Sequence, residues 1–137
     1  MREILFKAKR KDNGEWVIGA LLQSEDESYI ATSFLIGDEG TPLIVAAHEV
    51  NPDTICQYTG LTDKNGKKIW ENDICDRKEK YPEIVTYNEG DWQLDYSYVF
   101  GKEMHTDACN LGFYVCERNC VEVIGNIFDD PELLKED

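Results

Sequence analysis

A chain of 137 residues fits one domain and is long enough to bury a core without disulfide or metal staples. With 42% hydrophobic and 11% aromatic residues it is too apolar for intrinsic disorder, yet it holds no long uncharged run of the kind that spans a membrane. Fourteen basic residues against 28 acidic ones give a formal net charge of −14, which repels phosphate backbones and argues against direct nucleic-acid binding.

The first ten residues carry charges on both sides of only three apolar residues, Ile4, Leu5 and Phe6, so no signal-peptide core can be drawn and the expected compartment is the cytoplasm. Ile4 to Lys9 and Glu15 to Leu22 flank Asp12-Asn13-Gly14 and are predicted to form a hairpin with Trp16 and Ile18 on one face. Two further β-rich runs, Tyr29 to Ile36 and Leu43 to Val50, are separated by Gly37-Asp38-Glu39-Gly40. His48 lies in the second run without another His or Cys nearby, and reads as a strand position rather than a ligand. Asn51-Pro52-Asp53 then marks a sharp turn, where a single domain of residues 1–137 admits a subdivision into 1–53 and 54–137.

Thr54 to Tyr58 is β-branched and aromatic, and Thr62-Asp63-Lys64-Asn65-Gly66 gathers residues that tolerate turns. Asn65-Gly66 suits the two positive-φ positions of a type I′ hairpin, with Lys67 to Trp70 as the returning strand. Gly60 suggests a bulge or a close backbone approach, and Asn72-Asp73 a second turn before Ile74 and Cys75. The same stretch offers an acidic rim, Asp63, Glu71, Asp73 and Asp76, as a candidate binding site for a divalent cation or a basic partner, although its spacing matches no standard metal loop.

Downstream, Arg77-Lys78-Glu79-Lys80 reads as a solvated charged loop, and Glu83 to Tyr87, Gln93 to Phe100, Leu111 to Cys116 and Val121 to Phe128 read as strands. Tyr96, Tyr98 and Phe100 would then share one face, with Tyr114 and Cys116 sharing another. Trp92, beside Asp91 in a turn, is the best single candidate for an exposed binding anchor. The last of these runs, interrupted at Gly125-Asn126, is expected to be bent. Asp130 is the expected N-cap of a short terminal helix that begins at Pro131 and docks Leu133 and Leu134. The whole pattern predicts a mainly β chain: a small, strongly bent SH3-like barrel or sandwich over residues 54–128, an amino-terminal β-hairpin region and a short C-terminal helix.

QYTGLTDKNGKKIWENDI at Gln57 to Ile74, together with EVIGNIFDDPELL at Glu122 to Leu134, resembles the pattern of the YopX-like phage and prophage proteins. The opening REILFKAKRKDNGEWV looks like that family's amino-terminal hairpin. The family usually has Gly where this chain has Asn72, and Asn is the next best residue at positive φ, which points to a backbone role there. The resemblance implies a phage or prophage accessory protein and carries over no catalytic or binding residue.

Five cysteines, Cys56, Cys75, Cys109, Cys116 and Cys120, are an odd number in a chain with no export signal, and reduced thiols are expected. His105, Cys109, Cys116 and Cys120 form a weak zinc candidate that lacks a Cys-x2-Cys knuckle, so no metal or other cofactor is assigned. Three classes of function follow. One is a non-catalytic protein that binds another protein or, as a homo-oligomer, itself through open strand edges and acidic surface. The second is an acidic DNA mimic that occupies a host nucleic-acid-binding protein through Glu25, Asp26, Glu27, Asp38 and Glu39. The third is a small enzyme with Asp73 or Glu71 as acid or base beside Cys75, for which the sequence offers no triad, phosphate loop or metalloprotease pair.

Overall fold

The computed structural model describes residues 2–100 and 109–135. The chain is mainly β, with antiparallel pairing throughout, and divides into two compact units, Met1–Tyr58 and Thr59–Asp137.

In the first unit, β1 (Phe6–Lys9), β2 (Trp16–Gln23), β3 (Ser28–Ile36) and β4 (Pro42–Glu49) form a meander in the order β4-β3-β2-β1. Gly14 takes φ +73 in the β1–β2 turn, as a tight connection requires. Alternation sends Ala8, Ile30 and Val50 to full burial, with Phe6, Val17, Leu21 and Ile55 packed around them. A bridge from Arg10 to Val50 ties the end of β4 to the end of β1. Asn51 then opens a 3-10 turn, Pro52–Thr54, its side chain accepting from the Asp53 amide.

Gly19 fixes how β2 and β3 cross. A Cβ there would lie 2.1 Å from the Ala31 carbonyl oxygen, so only glycine lets the two backbones approach this closely. β2 pairs with β3 only as far as Ala31. Beyond that point β3 pairs with β4 alone, through Ser33↔Ala46, Phe34↔Ile44, Leu35↔Leu43 and Ile36↔Pro42, with register shifts on both sides of Ser33. A two-stranded, bulged ribbon therefore leaves the sheet.

β5 (Cys56–Thr62) pairs with β1 through its first residues and with β6 (Lys68–Trp70) further on. Gly60 in its middle has φ +87 with open space around it, so the expected bulge position is a conformational need rather than a close contact. In the second unit, β7 (Asp73–Asp76), β8 (Glu83–Asn88), β9 (Asp91–Asp95), β10 (Cys109–Asn110) and β11 (Glu122–Asn126) form a sheet in the order β10-β9-β8-β7-β11. Its core contains Ile69, Cys75, Val85, Leu94, Leu111, Val121 and Val123. β11 is bulged against β7 between Val123 and Gly125, as the Gly125-Asn126 interruption suggests.

The expected mainly β class holds, but no barrel closes among the described residues. One expected strand is cut short and another is replaced by helix. Gln93 to Phe100 stops at Asp95, whose Oδ1 accepts from the Ser97 amide at 2.7 Å and opens a helical turn, Ser97–Phe100. Leu111 to Cys116 is helical, with a π turn at Phe113–Glu117 whose first amide, Phe113, donates to Asn110 Oδ1 at 2.8 Å. Both side chains offer the backbone a local alternative that overrides the β-branched and aromatic composition, so the alternating aromatic and thiol faces do not form. The terminal helix is one 3-10 turn, Pro131–Leu134, and Asp130 does not cap it. Its carboxylate reaches back to the Asn126 amide at 3.1 Å.

Candidate functional site

The acidic motif resolves into turn chemistry. Asp63 is 6% exposed, and its Oδ1 accepts from the Asn65 and Lys67 amides while Oδ2 accepts from the Val123 amide, each at 2.9 Å. Burial pushes this carboxyl up, but the three N–H donors outweigh it and hold the group below its ordinary range. Gly66 has φ +83 whereas Asn65 is not at positive φ. The connection is therefore a three-residue loop with glycine in the left-handed position, not the expected type I′ turn. Asp73, also buried, accepts from the Trp70 amide at 2.8 Å, and Asn72 takes φ 70 as expected.

These bonds also join the two separated motif segments. The Lys64 amide donates to the Val121 carbonyl, the Ile127 amide to the Asn72 carbonyl, and the Lys64 ammonium meets Glu122 at 3.4 Å. With Asp63 and Asp73 turned inward to backbone, they do not form an acidic rim with the half-buried Glu71 and Asp76. Among the described residues no three His, Cys, Asp or Glu side chains gather as a metal site. His105 lies outside the described residues, as does the side chain of Cys109, while Cys116 is exposed and Cys120 half-buried. Cys75 is buried, which pushes its thiol well above the ordinary range, with Asp73 adding to the effect. A nucleophilic thiolate is not supplied there.

Trp92 is half-buried against the core and makes an edge-on contact with Tyr87, ring centroids 4.9 Å apart. It stands in β9 directly across from Tyr87 in β8, rather than in a turn. The turn precedes it, at Glu89 (φ 52) and Gly90 (φ 81): this is where the two positive φ values of a type I′ hairpin occur.

Arg77 is not part of a solvated loop. Its Nε lies 2.5 Å from Glu83, a residue only 1% exposed, and its guanidinium stacks 4.3 Å from the Tyr114 ring centre. Burial raises the Glu83 carboxyl above its ordinary range, and Arg77 partly offsets this. Tyr81, Tyr96, Glu79 and Lys80 complete a cleft of about 340 Å³ beside this pair. Its guanidinium is already committed to Glu79 and Glu83.

The feature that sequence reading missed is the free end of the β3–β4 ribbon. Phe34, Leu35 and Ile36 are 61–63% exposed, and Leu43, Ile44 and Val45 are 53–58% exposed. Cross-strand register places Phe34, Ile36, Pro42 and Ile44 on one face and Leu35 and Leu43 on the other. Both faces of this arm are apolar. An isolated two-stranded ribbon is at best marginally stable in water, and a large exposed apolar patch marks an interaction site. The signal in the sequence was the unbroken apolar composition of both runs, FLI and PLIV, where a half-buried strand would alternate.

Comparison with known proteins follows the same lines. The profile of the family described as YopX protein matches residues 5–135. The crystal structure of protein EF1440 from Enterococcus faecalis is similar, with 27% identity and a TM-score of 0.66 over 98% of this chain and 100% of that one. Curated proteins yield no match. The matched residues 5–135 run through both units: the chain belongs to the YopX protein family.

Proposed function

We propose that this chain is a non-catalytic accessory protein of a phage or prophage, working in the bacterial cytoplasm by protein–protein association through the β3–β4 arm. The carrying observation is the arm itself: six large apolar side chains, all more than half exposed, on a ribbon that no third strand among the described residues supports. Summed over both faces they present on the order of 600 Å² of apolar surface, of which one flat contact would cover about half, against about 800 Å² per partner in a standard interface. Asp63 and Asp73 are occupied by backbone amides and burial pushes the Cys75 thiol well up, which weakens the acid–base reading of Asp73 beside Cys75.

The acidic-mimic reading fares less well on geometry. Glu25, Asp26 and Glu27 lie in the β2–β3 turn and Asp38 and Glu39 in the β3–β4 turn, at opposite ends of a nine-residue strand that spans roughly 30 Å. An apolar arm, not a row of carboxylates, lies between them.

The test is affinity capture from a host lysate by the wild-type chain and by the doubly substituted Phe34→Ser/Ile44→Ser chain. Both positions are exposed, so each substitution should shift stability by only about 0.5 kcal/mol, and circular dichroism checks that the fold is kept. Retention of a defined protein, this chain or another, that disappears with the substitutions is the expected result. Identical retention by both chains would remove the arm from the function.

A further inference from the structure

We infer that the occupant of the arm is a second copy of this chain, with two arms packed face to face and antiparallel about a two-fold axis near Ile44; this rests on the association reading above. Charge makes the first argument. Two chains of net charge −14 repel each other unless they meet where charge is absent, and from Ser28 to His48 the only charged residues are Asp38 and Glu39 at the tip. The Phe34, Ile36, Pro42 and Ile44 face is neutral, and an isologous contact sets such a face against its own copy.

The tip sets the orientation. Parallel arms would place the four tip carboxylates together. Antiparallel arms hold the two tips roughly 35 Å apart, several Debye lengths at physiological salt. Each tip then reaches the base of its partner's β4, where a cleft of about 300 Å³ is lined by Arg10, Lys11 and His48 together with Asp12 and Glu49. Arg10 pairs with Asp12 at 2.6 Å and Lys11 with Glu49 at 3.1 Å, so this base is balanced rather than acidic, and the half-exposed Lys11 ammonium retains donors for a tip carboxylate. The same two carboxylates argue against lipid as the occupant, because an inserted arm would carry them deepest into hydrocarbon.

Sedimentation equilibrium from about 1 to 100 μM tests the inference. The wild-type chain is expected to form a dimer, and Phe34→Ser/Ile44→Ser to raise its dissociation constant at least tenfold. Lys11→Glu should weaken the dimer, and Lys11→Glu/Glu39→Lys should restore it. Hydrogen exchange on the unaltered chain supplies a readout independent of any variant: amides of residues 33–45 should gain protection as concentration rises, while those of the β8–β9 hairpin do not change. A monomer at all concentrations whose arm still captures a different protein would overturn the second copy and leave the association reading intact. A monomer with no arm-dependent capture would overturn both, and a dimer indifferent to the Phe34 and Ile44 substitutions would overturn the placement on the arm.

Discussion

Asp63 shows how one carboxylate can define a motif without chemistry. Its three backbone donors come from two segments that are 60 residues apart in one case, Val123 to Asp63. Asp63→Asn would turn an NH2 group toward one of those amides, and leaving buried donors unmet should cost about 3 kcal/mol in chemical denaturation. Because the folded-state carboxyl lies below its ordinary value of 3.8, its contribution is present above that value and is lost as pH falls through the lower folded value. The acid limb of the wild-type stability curve should therefore be steeper below pH 4 than that of Asp63→Asn. Glu89 is the opposite case, a residue poorly suited to its backbone. At φ 52 in a type I′ turn it occupies a position that Asn prefers, so Glu89→Asn is expected to stabilise by about 0.5–1 kcal/mol, read as a higher midpoint in urea. Asn72 was legible because its residue type names its conformation. Asn65-Gly66 misled because the neighbouring Asp63 side chain selects a different loop, and no local dipeptide rule includes that bond.

Among the elements, hairpins marked by Gly and Asn turns were readable, since turn chemistry is local. The segments after β9 and β10 were not, because Asp95 and Asn110 divert backbone amides into helical turns that strand-like composition does not reveal. Gly19 was also silent: nothing in a β2 run of WVIGALLQ shows that another strand's carbonyl lies over it. Gly19→Ala must push β3 away, and a loss of at least about 2 kcal/mol is expected in thermal or urea unfolding. The β7–β8 connection gives a second expectation with a pH signature. Removing Arg77 as Arg77→Met leaves Glu83 buried without its cation, at a cost of about 3–5 kcal/mol near neutral pH. Glu83 already titrates above its ordinary value, so lowering the pH protonates it and relieves the penalty; the stability deficit of Arg77→Met should shrink from pH 7 to pH 5.

For the whole molecule, net charge and the apolar arm make opposite demands that salt can separate. Two chains of −14 repel each other over a range set by the Debye length, about 30 Å at 0.01 M and about 8 Å at 0.15 M. Screening should remove far more repulsion than it costs in any tip-to-base attraction, which concerns exposed pairs worth at most about 1 kcal/mol each. Arm-to-arm association is therefore expected to strengthen on raising salt from 10 to 150 mM, with sedimentation showing a several-fold lower dissociation constant. Capture of a basic partner by the acidic turns has the reverse sign, since attraction between opposite charges is what screening weakens. The sign of the salt dependence, measured on the unaltered chain, therefore distinguishes an apolar contact from an electrostatic one. Net charge alone could not make that distinction: the sequence shows the neutral run from Ser28 to His48, but its exposure follows only from β3 leaving the sheet at Ala31.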